Sequence, residues 1–361
     1  MEHHHQTTTG PMKDSDELRS PLQILPKVDL HRHLEGSLRL QTLSEIAMEH
    51  GIDLPAHSIE ELRPYVQITD ESPDFHGFLA KFRLLRRFYR SREAVERVAY
   101  EAVADAAADN IRYLELRFNP VALSRAQEFA LKDVVEWVDG AIGRAQADHD
   151  ITARLILQIG REESPRVAEE IAELALAYRG QGVVGIDLAG DELNYPSPPF
   201  AHLFYRARQE GLGITVHAGE VGDAQNVLEA IRQFHAHRIG HGVRVVENSE
   251  AVRFARKHRV TLEVCPTSNL QTGAVRRLSQ HPLPDLMALG LHVTINTDDP
   301  SVSDTTLTDE YMVAMTAIGL ELKEIHRTVL NAVDAAFLPE GERQQLREQL
   351  AEWHELEQAE P

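Results

Sequence analysis

The sequence predicts a (β/α)8 TIM barrel with a helical insertion after strand 1. Three observations carry that reading. Eight short runs rich in β-branched residues alternate with longer stretches of helical periodicity, the pattern of a parallel sheet with helical crossovers. Eight such units match the strand count of a closed barrel. No Gly-x-Gly-x-x-Gly turn follows the first run, which counts against a doubly wound open sheet.

The first run, residues 27–30, leads into His31-Arg32-His33. Residues two apart on a strand share a face, so both imidazoles point into the barrel at its C-terminal mouth, where barrel active sites are built. Residues 37–110 then intervene, too many for a single crossover helix. Within them Phe75, Phe78, Leu79, Phe82 and Leu85 recur at helical spacing. The pattern favours a stripe facing the core; an apolar wall over the barrel mouth is the second reading. A helix over 93–109 precedes the second strand, 111–118, and the third follows at 152–159. After a helix over 165–178, the fourth strand, 183–188, runs into Ala189-Gly190-Asp191-Glu192. Gly190 offers either a backbone N–H to a ligand or a simple turn.

The fifth strand, 213–216, ends in His217-Ala218-Gly219-Glu220. A third imidazole at a strand end can join a metal site, and a carboxylate just beyond it can move a proton. The sixth, 238–240, ends in His241-Gly242. The seventh, 260–264, meets Cys265-Pro266-Thr267-Ser268-Asn269, and Cys265 reads as a buried, inert thiol. The eighth, 292–295, ends in Asn296-Thr297-Asp298-Asp299-Pro300. Adjacent acids repel one another and call for a cation or donor nearby. Each motif alone has a structural explanation: a core histidine, a helix N-terminal acid, a turn. Together at one rim they point to a divalent ion held by imidazole and carboxylate, most plausibly Zn2+.

Composition narrows the rest. With 42% hydrophobic and 26% charged residues in 361, the chain can build a packed core. Its 57 acidic against 37 basic residues give a net charge of -20, which disfavours nucleic acid and anionic membrane as partners. One cysteine excludes an internal disulfide and Cys-x-x-Cys zinc sites. No run of about 18 apolar residues is present, so no transmembrane helix is expected. Residues 1–20 are polar and carry His3, His4 and His5. They read as a disordered or tag-like tail, leaving 21–361 as a single domain of a cytoplasmic enzyme. Residues 340–355 read as a solvated charged helix. The oligomeric state is not legible.

The motifs HRHLEG (31–36), DLAGDE (187–192), TVHAGE (215–220), RIGHG (238–242), CPTSN (265–269) and NTDDP (296–300) resemble the adenosine deaminase family in content, order and spacing, from about Leu25 to Phe337. The resemblance implies a zinc-containing barrel of the amidohydrolase superfamily, with one Zn2+ per chain. His31, His33, His217 and Asp298 would be its ligands. Glu220 would protonate the purine ring nitrogen beside the reacting carbon. A raised Glu220 pKa follows from burial and from Asp298 and Asp299. His241 would help deprotonate and orient the attacking water, and stabilise charge in the addition intermediate. Asp299 and Gly190 would hold the purine, His33 and Glu35 would meet the ribose side, and Ser268 would hold Asp298.

The implied reaction is hydrolytic deamination of adenosine and 2′-deoxyadenosine to the inosine products, with release of ammonia, in purine salvage. The partner is a small nucleoside. Many members carry aspartate where Glu35 stands. Glutamate there accompanies action on adenine or aminofutalosine-type nucleosides, and these are the alternative substrates. A superfamily hydrolase with two metals would want a lysine on the fourth strand, and 183–188 has none. A non-catalytic zinc-binding relative could lose Glu220 or His241, and both are present. The other zinc deaminase architecture needs a Pro-Cys-x-x-Cys motif that one cysteine cannot supply.

Overall fold

The structure is a computed structural model. It describes residues 15–359 apart from residue 57, and side chains over 18–350 apart from the same residue. Eight strands form one parallel sheet in sequence order. They are β1 (Lys27–His33), β2 (Ile111–Phe118), β3 (Thr152–Gly160), β4 (Val183–Ala189), β5 (Gly213–Ala218), β6 (Arg238–His241), β7 (Thr261–Val264) and β8 (His292–Ile295). All eight expected strands are present. Several reach one to three residues further toward the mouth, so that His31, His33, His217 and His241 stand on the strands themselves.

The sheet closes by a short seam just beyond β8. His33 N–H donates to the Asp298 carbonyl at 2.8 Å, and Asp298 N–H donates to the His31 carbonyl at 2.8 Å. These bonds form a parallel bridge between Arg32 and Asp298. The fold is therefore a (β/α)8 barrel. Helices Pro165–Ala177 and Leu322–Ala335 pack their apolar faces on the strands from outside.

Helix α1 (Ser15–Ile24) precedes the barrel. Ordered chain thus reaches back past the boundary expected at residue 21. Leu22 and Leu25 are buried, and Arg19 pairs with Asp309 at 2.6 Å. Pro21 lies inside this helix. The His3–His5 run lies outside the described residues.

The long first connection forms α2 (Leu40–His50), α3 (Ile59–Val66), α4 (Phe75–Leu85) and α5 (Arg92–Ala108). Ser58, Asp74 and Ser91 cap the last three by accepting backbone N–H groups. Asp74 N–H donates to the Gln271 carbonyl at 3.0 Å, which fixes the start of α4 to the loop after β7. The aromatic stripe of α4 fits both readings: Phe78, Phe82 and Leu85 join the hydrophobic core, and the stripe also walls the mouth. Phe75, Phe78, Leu79 and Phe82 line the cavity at the barrel mouth, and of the five only Leu85 turns wholly to the core.

The last helix, Glu340–Ala359, is not merely solvated, because Leu346 and Leu350 are buried. Among the described residues, no helix is long and apolar enough to cross a membrane.

Candidate active site

Four strand-end side chains meet at the mouth. Ligand atoms of His31, His33, His217 and Asp298 all lie within 4.8 Å of one another, and all four residues are buried. His33 Nε2 is 3.3 Å from both His31 Nε2 and His217 Nε2. Asp298 Oδ1 is 3.1 Å from His31 Nε2 and 3.3 Å from His33 Nε2. Two of the rings have fixed protons. His31 Nδ1 donates to Glu263 at 2.8 Å, and His217 Nδ1 donates to Asp187 at 3.1 Å. With Nδ1 the donor, the Nε2 atoms of both rings face one small space, where each can offer a lone pair to a cation.

Lone pairs and a carboxylate converging like this repel unless a cation lies between them. Atoms roughly 2.0–2.1 Å from a tetrahedral ion sit about 3.3 Å apart, so the spacing fits a divalent metal. Against burial, Asp299 and Asp298 push His33 up to about 9. Burial pushes His217 down to about 3, which keeps it a neutral donor of its lone pair.

Beneath the cluster lies an ionic layer that sequence reasoning missed. Arg117 Nη1 pairs with Asp187 at 3.1 Å and Nη2 with Glu263 at 2.9 Å. Against burial, Arg117 and Arg238 hold Glu263 well below the usual carboxylate range. The same guanidinium thus keeps two carboxylates charged, and they orient two imidazoles. One signal was available: Glu263 interrupts an apolar strand, where a charged residue rarely sits unpaired.

Glu220 is 7% exposed, and its Oε2 is 3.7 Å from His241 Nε2. Its pKa rises to about 8, as expected from sequence, through burial first and then Asp298 and Glu192. Glu192, not Asp299, is thus the second acid raising it. Glu192 also builds the turn, accepting N–H groups of Gly219 at 2.6 Å, Glu220 at 3.2 Å and Gly222 at 2.9 Å. Gly219 has φ +65°, and a Cβ there would come within 2.5 Å of Val227.

Asp299 is buried, and burial with Asp298 raises its pKa well above the usual range. Its Oδ1 has no protein partner, and a Cβ on Gly36 would fall 1.9 Å from it. The glycine of HLEG therefore makes room for Asp299. Gly190, at φ +110°, lines the same cavity.

Glu35 Oε1 accepts the Asn119 N–H at 2.8 Å, while Oε2 is buried without a partner. Burial raises the Glu35 pKa. Arg86 Nε and Tyr89 OH are likewise buried and unpartnered. Charge interaction with Arg86 bears on both Glu35 and Tyr89, yet Arg86 makes no ion pair with Glu35.

Ser268 differs from expectation. Its hydroxyl is buried and makes no hydrogen bond, so it does not hold Asp298. Its neighbour Asn269, overlooked in the sequence, bonds His241 Nδ1 at 3.1 Å. Cys265 is fully buried, and burial raises its thiol well above its ordinary range, as an inert thiol requires.

These groups share one cavity of about 520 Å³ roofed by α4. Its lining brings His33, Glu35, Gly190, His217, Glu220, His241, Asp298 and Asp299 together; His31 lies beneath it, and Ser268 stands apart. Glu220 can supply a proton, a bound ion can activate water, and unpartnered polar atoms await a ligand.

A family model described as adenosine deaminase matches residues 26–353. An adenosine deaminase from Klebsiella pneumoniae is 40% identical over 327 residues, covering 91% of this chain and 98% of that protein. Among solved structures, an adenine deaminase from Arthrobacter aurescens superposes with a TM-score of 0.85 at 30% identity, over 92% of this chain and 99% of that one. A Burkholderia ambifaria amidohydrolase with bound Zn has a TM-score of 0.86 at 26% identity, over 97% and 95%. An Arabidopsis ADAL protein complexed with IMP has a TM-score of 0.82 at 31% identity, over 92% and 98%.

Proposed function

Because the chain belongs to the adenosine deaminase family, we propose that it hydrolyses adenosine and 2′-deoxyadenosine to inosine and 2′-deoxyinosine, releasing ammonia. The observation that carries this reading is Glu220. It is a buried carboxyl whose pKa is pushed up by burial and by Asp298, in the same cavity as the four-residue metal cluster.

His31, His33, His217 and Asp298 hold one Zn2+ per chain in this reading. Bound there, zinc would supply Lewis-acid activation of water at neutral pH. The remaining chemistry belongs to the chain. Adenosine's purine presents ring nitrogens that only accept hydrogen bonds, so its site must offer donors. Protonated Glu220 gives one to the nitrogen beside the amine-bearing carbon and makes that carbon electrophilic. Asp299, with its raised pKa, gives one on the imidazole side. The Gly190 N–H faces the far ring nitrogen. The aromatic wall of α4 covers the purine and excludes bulk water.

The Glu35 end supports a nucleoside over a free base. A ribose hydroxyl both donates and accepts, so it can satisfy Glu35 Oε2 together with Arg86, which lines the same cavity. Adenine would leave both unpaired, at a cost of about 1–3 kcal/mol for each buried group. A 5′-phosphate would bring its charge into a cavity lined by seven carboxyl side chains and three arginines. We place the reaction in the cytoplasm and in one catalytic domain that takes in the helix Ser15–Ile24 ahead of the barrel.

Ammonia release from adenosine, adenine and an aminofutalosine-type nucleoside, followed in parallel with zinc-loaded protein, tests the reading. Rapid release from adenosine is expected. Preference for either other substrate would relocate the error to the Glu35 end. No release from any of them, with one zinc bound, would overturn the deaminase assignment.

A further inference from the structure

A line of hydrogen bonds runs from a backbone amide outside the cavity to His241. Leu283 N–H donates to His281 Nδ1 at 3.1 Å. A peptide nitrogen can only donate, so Nδ1 of His281 carries the lone pair, and in the neutral ring Nε2 carries the hydrogen. Burial keeps that ring neutral, pushing it down to about 4. His281 Nε2 lies 3.3 Å from Asn269 Oδ1 and donates to it. The carbonyl end of Asn269 is thereby committed, and its Nδ2 faces His241 Nδ1 at 3.1 Å. An amide nitrogen also only donates, so His241 Nδ1 must be the acceptor. Asn269 is 0% and His241 1% exposed, which leaves no room for solvent to offer other partners.

We propose that the Leu283–His281–Asn269 relay fixes His241 as the Nε2–H tautomer, so that His241 meets the reacting atoms as a hydrogen-bond donor and not as a base. The proposal rests on the deaminase reading of the cavity; it keeps the charge-stabilising part expected of His241, assigns it to a proton fixed by the relay, and reverses the other part, the expected removal of a proton from water. His241 Nε2 stands 3.7 Å from Glu220 Oε2 and 4.0 Å from Asp298 Oδ2, on the reacting side of the ring. With hydrogen on Nε2 and the Nδ1 lone pair taken by Asn269, the ring has no free site for another proton. What it offers is a fixed N–H aimed where negative charge develops as the oxygen adds to the purine. Asn269 and His281 act through His241 and are positioning residues.

Histidine-selective 15N labelling and two-bond 1H–15N correlation spectra read the tautomer directly. The His241 signals are assigned by their loss in His241→Gln. Zinc-loaded and metal-free wild-type protein should both show His241 protonated on Nε2 alone. Protonation on Nδ1 would overturn the proposal whatever the activity.

Asn269→Asp tests the consequence. A carboxylate accepts from both rings and drives His241 to the Nδ1–H form. We expect kcat on adenosine to fall about tenfold or more, with zinc content kept and KM little changed. An inverted tautomer with undiminished kcat would overturn the donor role. A second pair guards against misfolding. His281→Gln, which can still accept from Leu283 and donate to Asn269, should retain the tautomer and kcat; His281→Leu should lose both. Equal behaviour of the two would also overturn the relay. Absence of deamination despite an Nε2–H ring would instead refute the substrate assignment and support the relay.

Discussion

Glu220 and Glu35 are both buried carboxyls in one cavity, yet their surroundings ask different things of them. Glu220 must carry a proton. Glu220→Gln is expected to keep fold and zinc but lower kcat by about 10²–10⁴-fold, read from ammonia release beside metal analysis. The acid form is the active one, so kcat/KM should fall as pH rises through the Glu220 pKa. That pKa is about 8 in the metal-free chain and lower with a cation beside Asp298. The descending limb should vanish in the variant. Glu35 instead waits for a donor. Glu35→Asp should raise the ratio of adenosine to adenine turnover, and an unchanged ratio in a competition assay would remove Glu35 from substrate choice. At this scale the sequence was legible wherever a polar residue ended an apolar strand, as at His217 and Asp298. It was mute for Glu192 and Asn269. Their partners, Gly219 N–H and His241, are brought to them by the return of other strands, and no local pattern records that.

Helices presented a different difficulty. A 3.6-residue stripe says which face of α4 is apolar, not whether that face meets a core or a ligand, since both reward the same residues. Phe78 and Phe82 serve both ends, and the ties that seat α4 over the mouth, Asp74 to Gln271 and His76 to Asp191, decide it. A comparable tie holds helix Leu307–Val313, where Glu310 accepts the Thr267 N–H at 3.0 Å and the Thr305 hydroxyl at 2.9 Å. Burial raises Glu310 from 4.5 to about 7. A carboxyl raised in the folded state binds its proton more tightly there than in the unfolded chain. Its contribution is full below pH 4.5 and is lost as pH rises through about 7. The loss is on the order of 3 kcal/mol. Thermal melts across that window should show a slope for wild type that Glu310→Gln flattens.

For the whole molecule, strand alternation was enough to predict the barrel, and the match of all eight strands reflects how strongly buried parallel strands select β-branched residues. What alternation could not reveal is the polar interior. Arg117, Arg238, Glu115, Asp187 and Glu263 fill the barrel beneath the site, where a hydrophobic plug would cost less to desolvate. Their arrangement orients His31 and His217, so the barrel trades stability for a prepared metal cluster. His217→Ala should therefore lose zinc, measured by metal analysis, while Glu263 and Asp187 stay paired with Arg117. Chelation should also loosen the β1–β8 seam. Amides of His33 and Asp298 should exchange with deuterium sooner than those between β3 and β4, where six residue pairs hold the register.

That seam sets a clock on the chain's own manufacture. His31 and His33 are made with the first strand, His217 with the fifth and Asp298 only after the eighth. A ribosome that stalls before residue 298 releases a polypeptide with imidazoles and no carboxylate to complete them. It also lacks the segment that would shut the cylinder. Activity should arrive only when the last strand docks on the first, and a chain truncated before residue 298 is expected to release no ammonia from adenosine.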